Sequence, residues 1–181
     1  MTDSAAREAA KLLKKRNLQS ASELDELKRE ISEKLKLPQV LRNSDILAEL
    51  KGKDRERFLP LLKTRRVKSL SGVCVVAVML PPASCPGECI YCPTSKLAPK
   101  SYTGFEPAAR RARANDFDAF KQVNARIGQL REIGHDPQKC ELIVMGGTFN
   151  SLPPKTQGDF VKRAYDAFNA KTSKTLEQAI K

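Results

Sequence analysis

Val73-Cys74-Val75-Val76-Ala77-Val78-Met79-Leu80-Pro81-Pro82 is the stretch on which the fold turns. Its first seven residues are apolar without interruption and mostly β-branched, and the proline pair stops them. A run of that length and type predicts a strand over 73–79 buried on both faces, as in a parallel sheet. A turn-rich segment over 81–107 follows, then a helical pattern over 108–133 with Gly134 as its stop signal. Glu141-Leu142-Ile143-Val144-Met145 predicts a second buried strand, Gly146-Gly147 a turn, and 156–170 another helix. Strand, loop, helix, strand, loop, helix is a βαβα unit of an α/β fold.

Upstream, residues 1–64 predict helices only. Ala5, Ala9, Leu12 and Leu13 form an apolar stripe at helical spacing. Ser22 is read as an N-cap, with Asp25 three residues on and Leu24, Leu27, Ile31 and Leu35 behind it, and Pro38 closes that segment. Ser44 is expected to cap a short helix through Leu50, and Asp54 to start one reaching about Leu62. The expected organisation is thus a basic helical region over 1–64 and the first β/α units of a larger repeating architecture over 65–181. Two strands and two helices do not complete a parallel domain. The halt at Lys181, directly after a helix, is therefore expected to be a truncation.

Of the 181 residues, 33 are Lys or Arg and 21 are Asp or Glu, a formal charge of +12. Such an excess predicts a polyanionic partner, nucleic acid being the usual one; a well-solvated surface is the plainer alternative. No apolar run approaches the roughly 20 residues needed to cross a bilayer, and the charged opening lacks the apolar core of a secretory signal. A membrane partner is not expected, and a reducing, cytoplasmic location is. Five cysteines, three of them between 85 and 92, suit metal ligation better than a secreted disulfide framework.

Those three lie in Cys85-Pro86-Gly87-Glu88-Cys89-Ile90-Tyr91-Cys92-Pro93, spaced C-x3-C-x2-C. Three thiolates on one compact loop suit three corners of an iron–sulfur cubane, leaving one iron open to a small molecule. In radical enzymes that iron chelates S-adenosylmethionine, whose reductive cleavage yields a 5′-deoxyadenosyl radical. Structural zinc would need a fourth ligand from Cys74, Cys140 or His135, each distant in sequence. A redox dithiol would use Cys89 and Cys92 and leave Cys85 without a role. The loop follows the first strand, at the carboxyl end where β/α folds place their chemistry. Cys74 and Cys140 are read as core residues, and His135 as a capping or surface residue at a helix end.

Gly146 and Gly147 would let backbone approach a ligand at the same end of the sheet, or would only turn the chain. Ser101-Tyr102-Thr103-Gly104-Phe105-Glu106-Pro107 leads into Arg110, Arg111 and Arg113. Aromatics beside arginines stack on bases and pair phosphates, or else pack on the fold while the arginines are solvated. A second basic stretch, with Lys51, Lys53, Arg57, Lys63, Arg65, Arg66 and Lys68, is read as phosphate contact.

With these residues on the page, the chain resembles the Elongator catalytic-subunit family over about 71–153: SGVCVVAVM, CPGECIYCP, SYTGFEP, Gly134-His135 and ELIVMGGTF. The short spacing between the first two cysteines is similar to archaeal and bacterial members. The resemblance implies a TIM-like radical S-adenosylmethionine barrel, present in its first units, and a basic N-terminal region that helps hold tRNA. It implies that acetyl-CoA donates an acetyl group in an acetyltransferase-like domain nearer the C-terminus. The radical then takes hydrogen from the acetyl methyl group, and the carbon radical adds to carbon 5 of the wobble uridine. Thioester hydrolysis leaves a carboxymethyl group. Carried over by position, Cys85, Cys89 and Cys92 would hold a 4Fe-4S cluster fed by an electron donor. Gly146, Gly147 and Thr148 would lie against S-adenosylmethionine, and Lys139 would contact acetyl-CoA. No acetyltransferase domain or later barrel strand is found in the sequence, so the chain alone is expected to be inactive. The alternative is a non-catalytic RNA-binding module stabilised by a cysteine-bound metal.

Overall fold

A capping box starts the second helix of the chain, and it is not the expected one. In the computed structural model, which describes residues 2–65, 69–147 and 149–181, Ser20 Oγ accepts the Glu23 N–H at 3.2 Å, and Glu23 Oε2 accepts the Ser20 N–H at 2.9 Å. Ser22, the expected cap, lies inside the helix. Three residues beyond Ser22 stands an aspartate, and three beyond Ser20 a glutamate, whose extra methylene reaches back to the cap.

The described chain divides into two compact units, Met1–Gly72 with Gln129–Pro137, and Val73–Gly128 with Gln138–Lys181. The first unit takes in more than the helical region expected over 1–64. It is built on α1 (Thr2–Arg16), α2 (Ala21–Lys34), α3 (Asn43–Ala48) and α4 (Gly52–Leu62). Ala5, Ala9 and Leu13 meet Leu24, Leu27, Ile31, Ile46, Leu47, Phe58 and Leu62 in one aliphatic core. The third helix begins one residue before the expected cap Ser44, and Asp45 Oδ2 accepts the Arg42 N–H at 3.2 Å. The segment Ile133-Gly134-His135 joins this unit: the Thr64 N–H donates to Ile133 O at 3.2 Å. Gly134 has φ +89°, and a Cβ placed there would stand 2.9 Å from Leu59 Cδ1. Gly134→Ala therefore combines left-handed strain with a clash and is expected to cost about 1–3 kcal/mol, read as a lowered urea midpoint.

The second unit contains β1 (Cys74–Met79), α5 (Pro107–Ala114), α6 (Ala119–Glu132, ending in the first unit), β2 (Cys140–Met145), a single 3-10 turn (Phe149–Ser151), α7 (Pro154–Phe168) and α8 (Leu176–Ile180). The strands pair in parallel, Cys74 opposite Cys140 through Met79 opposite Met145. The architecture is a helix-rich α/β one with a two-stranded parallel sheet among the described residues.

Three expectations are corrected. Neither strand is buried on both faces: Val76, Val78 and Leu80 pack with Ala119, Val123, Phe160 and Ala164, while Val75 is 38% and Ile143 40% exposed. Residues of α6 and α7 cover one face, and among the described residues the other is covered near Met79 by Ala98, Ala109 and Ala112. The helix expected over 108–133 is two helices. Asp116 and Phe117 adopt φ of 54° and 55°, and Asp118 Oδ1 restarts the helix by accepting the Lys121 N–H at 2.9 Å. Asn and Asp side chains compete locally with helical backbone bonds. The last helix runs 154–168 and is followed by another, capped by Thr175.

Gln122 holds the end of β1. Its Oε1 accepts the Met79 N–H at 2.8 Å and its Nε2 donates to Met79 O at 2.9 Å, with the side chain buried. Strand β1 bonds to β2 through Cys74 N to Lys139 O and Leu80 N to Met145 O, both 2.9 Å. Alternation places the Met79 groups on the opposite edge, where the glutamine amide replaces a neighbouring strand. No helix among the described residues is long and apolar enough to cross a membrane.

Candidate metal and ligand site

The cysteine loop leaves β1 one residue after Leu80 and runs without regular structure as far as α5. None of its cysteines is in a disulfide. Gly87 sits between two sulfurs, because a Cβ built on it would be 3.7 Å from both Cys85 Sγ and Cys89 Sγ. Those two sulfurs are therefore within twice that distance of each other. A turn from the Cys92 N–H to Cys89 O, 3.0 Å, brings the third cysteine back along the loop. Cys92 Sγ lies 3.6 Å from Ser101 Oγ and 3.7 Å from Pro93 O. Cys85 and Cys92 are half-buried and Cys89 is exposed.

Among the described residues no three His, Cys, Asp or Glu side chains converge at metal-holding distance. The donor chemistry nonetheless fits a thiophilic cluster: three sulfurs on one short exposed loop, two of them flanking a residue without a side chain. Cys74 is buried, as expected of a core residue, and Cys140 is half-buried against the sheet cluster.

The second glycine of the pair comes to the same place as the first cysteine. Cys85 and Gly147 line one narrow cleft with Leu80, Pro81, Ser84 and Pro99. Gly146 has φ +142°, and a Cβ there would stand 3.0 Å from Leu80 Cβ; at Gly147 it would stand 3.2 Å from Lys100 Cβ. Both glycines thus permit a close approach of the β2 turn to the cysteine loop. Lys139 is exposed and precedes β2 at its far end. Six strand residues separate it from Gly146, roughly 20 Å, so the structure does not bring Lys139 to the cleft.

Glu106, which composition and charge did not single out, organises the approach to α5. Its carboxylate accepts the N–H of Thr103 at 2.8 Å, that of Gly104 at 2.9 Å and the Thr103 hydroxyl at 2.9 Å. These bonds, led by the Thr103 amide, pull its pKa down to about 2. The stabilisation is complete above the ordinary value of 4.5 and is lost as pH falls from there toward 2. Thermal melts across that window should show an acid-dependent component that Glu106→Gln removes. The signal in the sequence was the T-x-x-E spacing before Pro107.

A match over residues 3–70 to the family model described as the ELP3 N-terminal domain joins these observations. A tRNA uridine(34) acetyltransferase of Methanocaldococcus infernus is 45% identical over 145 residues, covering 77% of this chain and 27% of that protein. Elongator complex protein 3 of Mus musculus is 38% identical over 170 residues, covering 88% of this chain and 31% of that one. The chain matches the N-terminal part of the Elongator catalytic-subunit family. It spans between a quarter and a third of the length of these two relatives. A solved structure of archaeal Methanocaldococcus infernus Elp3 with an N-terminal deletion is 36% identical, at a TM-score of 0.43, over 60% of this chain and 18% of that one.

Of the residues assigned to a site from the sequence, Thr148, Arg66 and Lys68 lie outside the described residues. The basic stretch is not one cluster. Lys51 and Lys53 stand at the start of α4, a helix about 17 Å long at 1.5 Å per residue, and Arg65 lies beyond its other end. All three are exposed without an acidic partner among the described residues. Arg57 is committed locally, bonded to Asn17 Oδ1 and stacked 5.2 Å from the Phe58 ring. On α5, Arg110 and Arg113 are exposed and Arg111 is half-buried, its pKa lowered by that burial. Tyr102 packs with the Met79 cluster and Phe105 is 71% exposed, so the two aromatics of this loop divide between core and solvent.

Proposed function

We propose that this chain is the tRNA-holding and cluster-bearing N-terminal part of a radical S-adenosylmethionine enzyme. That enzyme attaches an acetyl-CoA-derived carboxymethyl group to carbon 5 of the wobble uridine. The observation that carries the reading is the meeting of Cys85 and Gly147 in one cleft at the carboxyl end of two parallel strands. Cys85, Cys89 and Cys92 are the residues to hold a 4Fe-4S cluster, and Gly146 and Gly147 are those to lie against S-adenosylmethionine. When bound, the cluster supplies the electron that cleaves the sulfonium. This chain's own contribution is placement: Gln122 anchors the strand end that launches the loop, and Glu106 fixes its exit. The second unit is read as the opening of a TIM-like β/α barrel, because its strands are parallel and helices cover one face.

The tRNA reading rests on charge and on where it stands. Lys51 at the N-cap and Lys53 in the first turn oppose the positive end of the α4 dipole, an arrangement that costs stability and suits an external anion. The name of the Methanocaldococcus infernus relative supplies the substrate class. Anaerobic reconstitution with iron and sulfide tests the cluster: about four irons per chain are expected. Stoichiometric zinc with no iron would overturn the enzymatic reading.

A further inference from the structure

Ser101 stands nine residues beyond Cys92 and folds back onto it, with Oγ 3.6 Å from Cys92 Sγ. Its neighbours hold it there. Lys100 Nζ donates to Thr94 Oγ1 at 2.7 Å across the same segment. Ala98 and Pro99 are buried, and Ala98 and Tyr102 pack with Met79. A Cβ on Gly147 would stand 3.2 Å from Lys100 Cβ, so Ser101 follows a residue that backs on the turn after β2. The segment that carries Ser101 is thus anchored to the carboxyl end of the sheet.

The backbone at Ser101 suits a different residue. The Tyr102 N–H donates to Pro99 O at 3.2 Å, closing a turn with Ser101 at its third position, and Ser101 adopts φ 76°. Glycine takes that conformation without strain, whereas it costs serine free energy. What serine has and glycine lacks is the hydroxyl, and this hydroxyl meets a sulfur. Strained positions of this kind cluster at functional sites.

A cysteine sulfur bound to iron has given up its proton, so it can only accept, and the Ser101 hydroxyl is then the donor. A hydrogen bond to a cluster sulfur stabilises the extra electron of the reduced state. We infer that Ser101 is a positioning residue acting through Cys92: its hydroxyl donates to the ligating sulfur and raises the one-electron reduction potential of the cluster. This rests on the cluster reading above.

Redox titration of the anaerobically reconstituted whole chain, followed by electron paramagnetic resonance, tests it. Dithionite supplies the one electron that the cluster takes up. Ser101→Gly removes the hydroxyl and suits the backbone. It should keep about four irons and shift the reduction equilibrium about tenfold toward the oxidised cluster, about 59 mV for one electron. Ser101→Ala should give the same shift, although it keeps the strain. An unchanged potential in Ser101→Gly overturns the inference, since a serine that only shapes the turn would leave the potential unmoved. Unequal potentials in the two variants, or loss of iron from either, would put the role of Ser101 in the backbone and overturn it as well. Failure of the unaltered chain to take up iron overturns the cluster reading itself.

Discussion

Gln122→Leu is expected to lower the stability of the chain by about 2–4 kcal/mol. Leucine fills nearly the same space, so the loss is not one of packing. The Met79 N–H and C=O, both bonded to the glutamine amide, would be left buried without partners. Each stranded group costs about 1–3 kcal/mol, because desolvation is no longer compensated. Gln122→Glu separates the two bonds. A carboxylate still accepts from the amide but cannot donate to the carbonyl, so it should recover part of the loss as its acid is protonated. Urea denaturation at neutral and at mildly acidic pH reads both effects. Equal stability of Gln122→Leu and the unaltered chain would mean that β1 ends without this clamp.

Replacing Cys85, Cys89 and Cys92 together by serine should remove all iron from the anaerobically reconstituted chain and leave its melting profile close to that of the metal-free protein. The loop is exposed and without regular structure, and its sulfurs belong to none of the three core clusters. A cluster held there adds binding energy but replaces no packing. Salt-dependent tRNA binding should survive the replacement, since Lys51, Lys53 and Arg65 lie in the other unit. A triple variant that retains iron would move the ligands elsewhere.

Much of this fold was legible where the chain obeys one strong local rule. The apolar run 73–79 reads as a strand because no helix would bury all of it, and the structure differs only at its first residue. Burial was misread because it depends on neighbours: a valine in a two-stranded sheet looks the same in sequence as one in the middle of eight. The break at 115–118 was visible in Asn115-Asp116-Phe117-Asp118, but the apolar spacing on either side outweighed it. The glycine pair and the first cysteine were expected at one end of the sheet, and Gly147 shares a cleft with Cys85 there. Gln122, Glu106 and His135 were hidden for a common reason. His135, expected at the surface or as a cap, is buried with Nε2 2.9 Å from Thr64 O. Each of the three acts on backbone groups distant or irregular in sequence, and no periodicity records which amide a side chain will meet.

The most direct test of the central claim is electron paramagnetic resonance of the reduced, reconstituted chain before and after adding S-adenosylmethionine. Three cysteine ligands leave one iron able to take the amino and carboxyl groups of that molecule, so the account predicts a changed signal on its addition. A cluster signal that stays the same at saturating S-adenosylmethionine would contradict it.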